Sequence, residues 1–251
     1  MIYISDTPLV GGSQIAKQRY AGLISALGGV YFDGYKTIQE NICFEKAVFG
    51  YDKSLLKMGE LEELIRRRMN VSSTYCTTKK TRILILNRAS RRILNTEQLA
   101  NELQSRLNAT VEIVQFENMQ LAEQIQRVHC ADLLIGVQGA GLNHFRFLPK
   151  GGAVLEIGWE HWPVGLYCYL ATTMGFKCNV IDNCSAKISE HAWRAFYNTN
   201  KDNDFKYMTH DEVLNLANHV EFQVDENIWK FADCEINISD AVQKAHHLLN
   251  V

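Results

Sequence analysis

The sequence predicts an α/β fold, with an open parallel sheet in the C-terminal part and an abbreviated α/β part before it. Three observations lead there. From residue 81 onward, short runs rich in Ile, Leu and Val alternate with stretches of helical spacing. Strand–helix–strand units of that length call for right-handed parallel crossovers. Glycines and arginines gather directly behind two of the apolar runs, where open α/β sheets bind their ligands.

Residues 1–80 are mixed. Gly11-Gly12 and Gly28-Gly29 bracket A-K-Q-R-Y-A-G-L-I-S-A-L, whose apolar spacing suits a helix. N-I-C-F-E-K-A-V-F-G, ending at Gly50, is strand-like. Residues 59–69, G-E-L-E-E-L-I-R-R-R-M, predict a helix with an acidic start and a basic end, as its dipole favours. The polar segment S-S-T-Y-C-T-T-K-K at 72–80 marks a boundary between a partial first domain, 1–78, and a second, 79–251.

T-R-I-L-I-L-N opens the second domain as a strand. Asn95 is placed as an N-cap, with Gln98 three residues on and Leu99, Leu103 and Leu107 as the core stripe of the helix. V-E-I-V-Q-F is the next strand, and Leu121, Ile125 and Val128 mark the next helix. D-L-L-I-G-V and A-V-L-E-I-G follow as strands three and four. A helix over P-V-G-L-Y-C-Y-L-A-T-T-M-G takes Pro163 in its first turn and Gly175 at its end. C-N-V-I-D is the fifth strand, and beyond a polar loop helices are expected near 210–219 and 239–250.

Composition narrows the function. An apolar fraction of 47% and a charged fraction of 22% over 251 residues are those of a globular chain. A net charge of -2 supplies no basic field for nucleic acid or membrane surfaces. No apolar run approaches the roughly 20 residues of a bilayer span. The first residues, M-I-Y-I-S-D-T-P-L-V-G-G, lack the pattern of a signal peptide, as expected of a cytosolic chain or of one lacking its natural start. Seven cysteines form no C-x-x-C pair, which disfavours a zinc or thioredoxin-like site. Cys168, Cys178 and Cys184 are close enough in sequence for one disulfide. Four N-x-S/T sequons, at Asn70, Asn108, Asn183 and Asn237, are either glycosylation sites or chance matches.

The chemistry lies behind strands one and three. Gly136, Gly139 and Gly141 do not follow the G-x-G-x-x-G spacing of a dinucleotide site, and no G-K-[ST] follows them. What remains is a tight turn whose amides face an anion, or one required only by close packing. Arg88, Arg91 and Arg92 crowd the end of the first strand. Three cations before a helix N-terminus repel one another, so an anionic ligand suits them; solvated arginines are the alternative, and one of the three is expected on solvent or a structural carboxylate. Glu156, closing the fourth strand, either accepts two sugar hydroxyls or pairs with an arginine. Glu160-His161-Trp162 supplies either an indole that stacks on a sugar ring or a buried structural Trp. Asp202-Asn203-Asp204 spells D-x-D inside a polar loop and reads as solvated, with no metal assigned.

R-x-x-R-R-I-L-N from Arg88, Phe116-Glu117, D-L-L-I-G-V-Q-G-A-G-L-N-H-F-R-F-L-P and V-L-E-I, taken in order, resemble glycosyltransferase family 61 over about 81–182. A looser likeness includes 41–50. The resemblance implies a GT-B-like enzyme with a Rossmann-type sheet in its C-terminal part, holding a UDP-sugar as donor substrate and needing no cofactor. It implies inverting, metal-independent transfer of N-acetylglucosamine or xylose to a protein or glycan acceptor in the ER or Golgi lumen. Arg88 and Arg92, with Arg91 beside them, would neutralise the diphosphate. Gln138 and the backbone of Gly139, Ala140 and Gly141 would line the phosphate or ribose, and Glu156 would sit close to the ribose.

Two departures stand out. Gln138 occupies a position where many family members carry His, and glutamine cannot hold a positive charge. About 80 residues is also short for an acceptor-binding domain. These favour the alternative, a truncated or degenerate relative that binds nucleotide-sugar or a protein partner without turnover. A nicotinamide oxidoreductase shares the strand pattern but needs the missing glycine fingerprint. The general base is sought among Asp6, Asp33, Glu45 and His144.

Overall fold

A computed structural model describes residues 2–5, 30–33, 59–72, 76, 80–159, 164–188 and 231–250. The helices expected over 16–27 and 210–219, the strand over 41–50, and Cys43, Asp6, Glu45, Glu160-His161-Trp162, Pro163 and Asp202-Asn203-Asp204 lie outside the described residues.

Strands β1 (Ile2–Ser5) and β2 (Val30–Asp33) pair in parallel, Ile2 opposite Val30, and Asp33 ends the second. Helix α1 (Glu60–Arg68) follows Gly59, whose N–H donates to Glu62 Oε2 (3.0 Å). The main sheet holds β3 (Arg82–Leu86), β4 (Thr110–Val114), β5 (Leu133–Val137), β6 (Ala153–Ile157) and β7 (Lys177–Ile181). All five are parallel, in the order β4-β3-β5-β6-β7. Helices α2 (Thr96–Leu107), α3 (Leu121–His129) and α4 (Leu166–Thr173) run between them. A short antiparallel pair, β8 (Ser185–Lys187) with β9 (Asp233–Glu235), and helix α5 (Ile238–Leu249) complete the described chain.

The period-2 alternation of strand side chains sorts the core into two layers. Ile83, Ile85, Ile135 and Leu155 face the Leu99, Leu103 and Leu107 stripe of α2 and Ala241, Ala245 and Leu248 of α5. Leu84, Leu86, Leu134 and Val154 face Val128 of α3, Phe145 and Ala171 of α4. Helices thus cover both faces, which is why β5 is an uninterrupted apolar run and β6 is broken only by Glu156, with every residue of both buried.

Two local expectations change. Asn95 precedes α2 but makes no side-chain cap. Its amide bridges Ile236 instead, donating to the carbonyl (2.8 Å) and accepting the N–H (3.2 Å). Helix α4 begins at Leu166 rather than with Pro163, because Gly165 is left-handed (φ 94°) and breaks the helix on its N-terminal side.

Three disulfides tie the elements. Cys168–Cys178 joins α4 to β7, Cys184–Cys234 joins the β7–β8 turn to β9, and Cys76–Cys130 ties the segment after α1 to the end of α3. The three neighbouring cysteines therefore take part in two bridges, not one. Helix α1 docks on α3 through Ile65, Val71 and Ile125, and the Gln126 side chain makes two hydrogen bonds to the Ser72 backbone (3.1 and 3.0 Å).

The chain leaves β3 outward for β4, then crosses back to β5 and continues to β6 and β7. Direction reverses between β3 and β5. In open α/β sheets ligands bind at such a switch point, beyond the C-terminal ends of the strands.

Candidate functional site

Behind β3 the chain turns through Asn87–Arg92, closed by Asn87 Oδ1 accepting the N–H of Ile93 (3.0 Å). Arg91 takes a left-handed φ of 58° within this turn, a conformation that costs a non-glycine residue about 1–3 kcal/mol. Arg91 and Arg88 are thereby laid against Gly139, which follows β5. Arg91 Nη1 donates to the carbonyl of Gln138 (3.1 Å). A Cβ at 139 would overlap Arg88 Nη1 and lie 3.1 Å from Arg91 Nη2, so glycine is what admits both guanidiniums.

Arg88 has one distant carboxylate, Glu117 Oε1, 3.8 Å from its Nε. Glu117 lies on the 3₁₀ turn Phe116–Asn118 after β4. The fully buried Gln124 of α3 fixes that turn, donating to the carbonyls of Phe116 (2.9 Å) and Met119 (2.8 Å). Arg88 Nη1 is buried without a hydrogen-bond partner among the described residues. Leaving such an N–H unpaired costs about 1–3 kcal/mol or more.

Burial lowers the basicity of both arginines. For Arg91 the loss of solvent and the neighbouring Arg88 charge bring the pKa to about 10. For Arg88 burial also dominates, opposed by Glu117 and by Tyr167 of α4. Burial pushes the Tyr167 phenol up and Arg91 pulls it down, Glu156 and Arg88 adding smaller opposed effects. Two desolvated cations whose nearest carboxylate among the described residues is Glu117, 3.8 Å from Arg88, form an anion-binding arrangement.

Arg92 faces the other way. Its Nη2 and Nε reach Asp233 Oδ2 (2.6 and 3.2 Å), while its backbone N–H donates to Asp233 Oδ1 (2.8 Å). Asp233 is fully buried at the start of β9. This is the structural carboxylate expected for one of the three arginines. The resemblance favoured Arg88 and Arg92 on the anion, whereas the structure brings Arg88 and Arg91 together.

Gln138 is buried, its N–H donating to the carbonyl of Ile157 (2.7 Å). Ala140 is exposed and starts a 3₁₀ segment, Ala140–Phe147, in place of a regular helix. Gly141 has a packing role, since a Cβ there would lie 2.6 Å from Leu86 Cδ2, and a Cβ at Gly136 would make a tight contact of 3.1 Å with Leu142. His144 Nδ1 is 3.0 Å from the carbonyl of Gly141, and its ring lies 4.7 Å from that of Phe116. Nδ1 is therefore the donor, and the lone pair of the neutral ring is on Nε2.

Glu156 is fully buried and turned to α4, where its Oε2 accepts the N–H of Cys168 (2.8 Å). Burial raises its carboxyl, against the opposing pull of the Cys168, Gly165 and Tyr167 amides. A carboxylate at a helix N-terminus meets the positive end of the dipole. This contact is neither of the two roles read from its sequence position, and its Oε1 is buried without a partner among the described residues.

Glu117, Tyr167 and Asp233 carry no role in the sequence reading. Glu117 is visible there only inside the Phe116-Glu117 motif. Tyr167 is signalled by its place just after the fourth strand. Asp233 stands 141 residues from Arg92 and has no sequence signal.

Among known sequences, the glycosyltransferase 61 family matches residues 38–155. EGF domain-specific O-linked N-acetylglucosamine transferases of dog and rat are 31% identical over 139 residues, covering 47% of this chain and 26% of theirs. The Drosophila melanogaster protein of that name is 33% identical over 81 residues, 32% of this chain and 16% of its own. The matches thus span about a quarter or less of these relatives. The arginine loop, the Gly139 turn, β3 to β5 and the start of β6 lie inside the matched region, so just under half of the chain is similar to the glycosyltransferase 61 family.

Proposed function

We propose that this chain carries the donor-binding half of a GT-B-type glycosyltransferase, with a UDP-sugar held at the C-terminal ends of β3 and β5. Arg88 and Arg91 face the diphosphate, with the Gly139–Ala140 backbone beside it. The carrying observation is Arg88 Nη1, buried and unpaired next to a second desolvated guanidinium at the switch point. A phosphate oxygen there satisfies that N–H and restores the charge balance.

An acceptor hydroxyl forms a bond to the anomeric carbon as the bond to the β-phosphate oxygen breaks. The electron pair leaves on UDP, whose growing charge meets Arg88 and Arg91 rather than a divalent ion. We assign His144 Nε2 as the base for the acceptor proton. The name of the relatives supports N-acetylglucosamine as the sugar and a protein hydroxyl as the acceptor, with xylose as the second donor to test. Three disulfides support passage through an oxidising compartment, the ER or Golgi lumen. No helix among the described residues is long and apolar enough to cross a membrane.

Calorimetric titration with UDP tests the site. Arg88→Ala and Arg91→Ala should each weaken binding by about 1.5–3 kcal/mol, the range for charged hydrogen bonds. Unchanged affinity in a folded double variant refutes the assignment. Gln138, which cannot carry the charge a histidine would, favours a second reading: nucleotide-sugar binding without transfer. UDP binding with no hydrolysis or transfer on any acceptor would select it.

A further inference from the structure

The four sequons fall on different edges of the molecule. Asn108 ends α2 and stands two residues before β4, at the N-terminal edge of the parallel sheet. Asn70 follows α1, beside the last turn of α3, where Ser72 meets Gln126 and Cys76 meets Cys130. Helix α3 runs back from β4 to the start of β5, so its C-terminal end also marks the N-terminal edge. Asn183 follows β7 at the opposite edge. Asn237 caps α5, its Oδ1 accepting the N–H of Asp240 (3.1 Å), close behind the β9 strand that holds Arg92.

Asn70 and Asn108 share a local conformation. Both are exposed, and both are left-handed, at φ 55° and 46°, where a helix has just ended. Asparagine tolerates that region better than other non-glycine residues, so the helix-end geometry and the sequon call for the same side chain. Five residues of strand, about 16 Å at 3.3 Å each, separate this edge from Arg88, Arg91 and Gly139. A bulky polar group fits there without covering the anion site.

We infer that Asn70 and Asn108 are N-glycosylated and form a glycan-bearing edge opposite the donor crevice. The inference rests on the compartment part of the proposed function, supported by three disulfides, and not on UDP binding. In the modification, Asn Nδ2 forms a bond to the anomeric carbon of a lipid-diphosphate-linked oligosaccharide. The bond from that carbon to the phosphate oxygen breaks, the lipid diphosphate leaves with the electron pair, and the amide nitrogen loses one proton.

The test is a peptide map of the chain isolated from its own cells, treated with peptide-N-glycosidase in heavy-oxygen water. Release of a glycan converts the asparagine to aspartate bearing the label, so label is expected at both 70 and 108. A parallel non-reduced digest reads Cys76–Cys130, Cys168–Cys178 and Cys184–Cys234. Ser72→Ala and Thr110→Ala, which destroy each sequon while keeping the left-handed asparagine, should each remove one glycan step on a gel.

Unlabelled Asn70 or Asn108 in a chain whose disulfides have formed overturns the inference alone. Absence of both labels and disulfides overturns the compartment reading together with it. Label at both positions in a chain that fails to bind UDP upholds the glycan sites while the donor reading falls.

Discussion

The loop from Arg88 to Asn95 has two sides, and they are finished differently. Toward β9, Arg92 and Asn95 engage Asp233 and Ile236 through five hydrogen bonds between side chain and backbone or carboxylate, with backbone bonds at Cys234 besides. Toward β5, two guanidiniums lie against one glycine, Arg91 alone bonds the Gln138 carbonyl, and a buried N–H of Arg88 has no partner among the described residues. The first side has the polar pairing of a folded core. The second has the pairing of a site that takes an anion. The same residue type in one loop is thus structural or ligand-facing according to what the fold sets opposite it.

The largest expected effect belongs to Asp233→Ala. It removes a fully buried carboxylate and leaves both the Arg92 side chain and its backbone N–H without that acceptor. Truncating one partner of a buried pair costs about 3–5 kcal/mol, reduced here because the Arg92 side chain is 35% exposed. Chemical denaturation should therefore show a loss nearer about 3 kcal/mol, and a loss below about 1 kcal/mol would mean that β9 does not hold the loop.

Gly139→Ala probes the other side. Its φ of 158° and ψ of 170° are open essentially only to glycine, so about 1–3 kcal/mol of stability should go. The new Cβ must also displace Arg88 Nη1, the far end of a flexible chain. UDP affinity is then expected to fall further than stability alone explains. A folded Gly139→Ala chain that binds UDP normally would place the anion elsewhere.

Arg92→Lys sharpens the contrast. Lysine keeps the charge but loses the fork that grips Asp233, costing about 1–2 kcal/mol in a thermal melt while UDP affinity stays at its starting value. A selective loss of UDP affinity would restore Arg92 to the diphosphate.

The smallest effect concerns pH. His129 Nε2 is 3.0 Å from Arg66 Nη1 and its Nδ1 3.2 Å from the carbonyl of Phe147, which fixes a neutral ring between α1 and α3. Burial lowers its pKa from 6.5, and Arg66 lowers it further against the pull of the Phe147 carbonyl. The unfolded chain thus binds its proton first as pH falls. Stability is whole above pH 6.5 and declines as pH drops toward the folded-state pKa, below which it levels off. Thermal melts from pH 7.5 to 5 should show the slope, and His129→Gln should flatten it.

The centre of the main sheet was readable because its strands are buried on both faces and are nearly continuous apolar runs in sequence, as in Leu133–Val137. The glycine turn and arginine loop were readable because open parallel sheets put ligands behind their strands. The roles of Arg92 and Asn95 were not, since local spacing gives no notice of a partner 141 residues away. Glu156 shows the same limit. Its strand-end position suggested sugar or arginine, and gave no notice that the start of α4 at Leu166 engages Oε2 through a backbone amide. Strands β1 and β2 went unassigned because four residues each carry too little periodicity.

The distance between Arg92 and Asp233 also sets a schedule. At about 5–20 residues per second of synthesis, the 141 residues between them take about 7–28 s to follow. Until residues 231–250 emerge and Cys234 can meet Cys184, the arginine loop has its Gly139 neighbour but not its β9 brace. In the newborn chain the residues of the main sheet are therefore all made before the β9 brace can join the arginine loop.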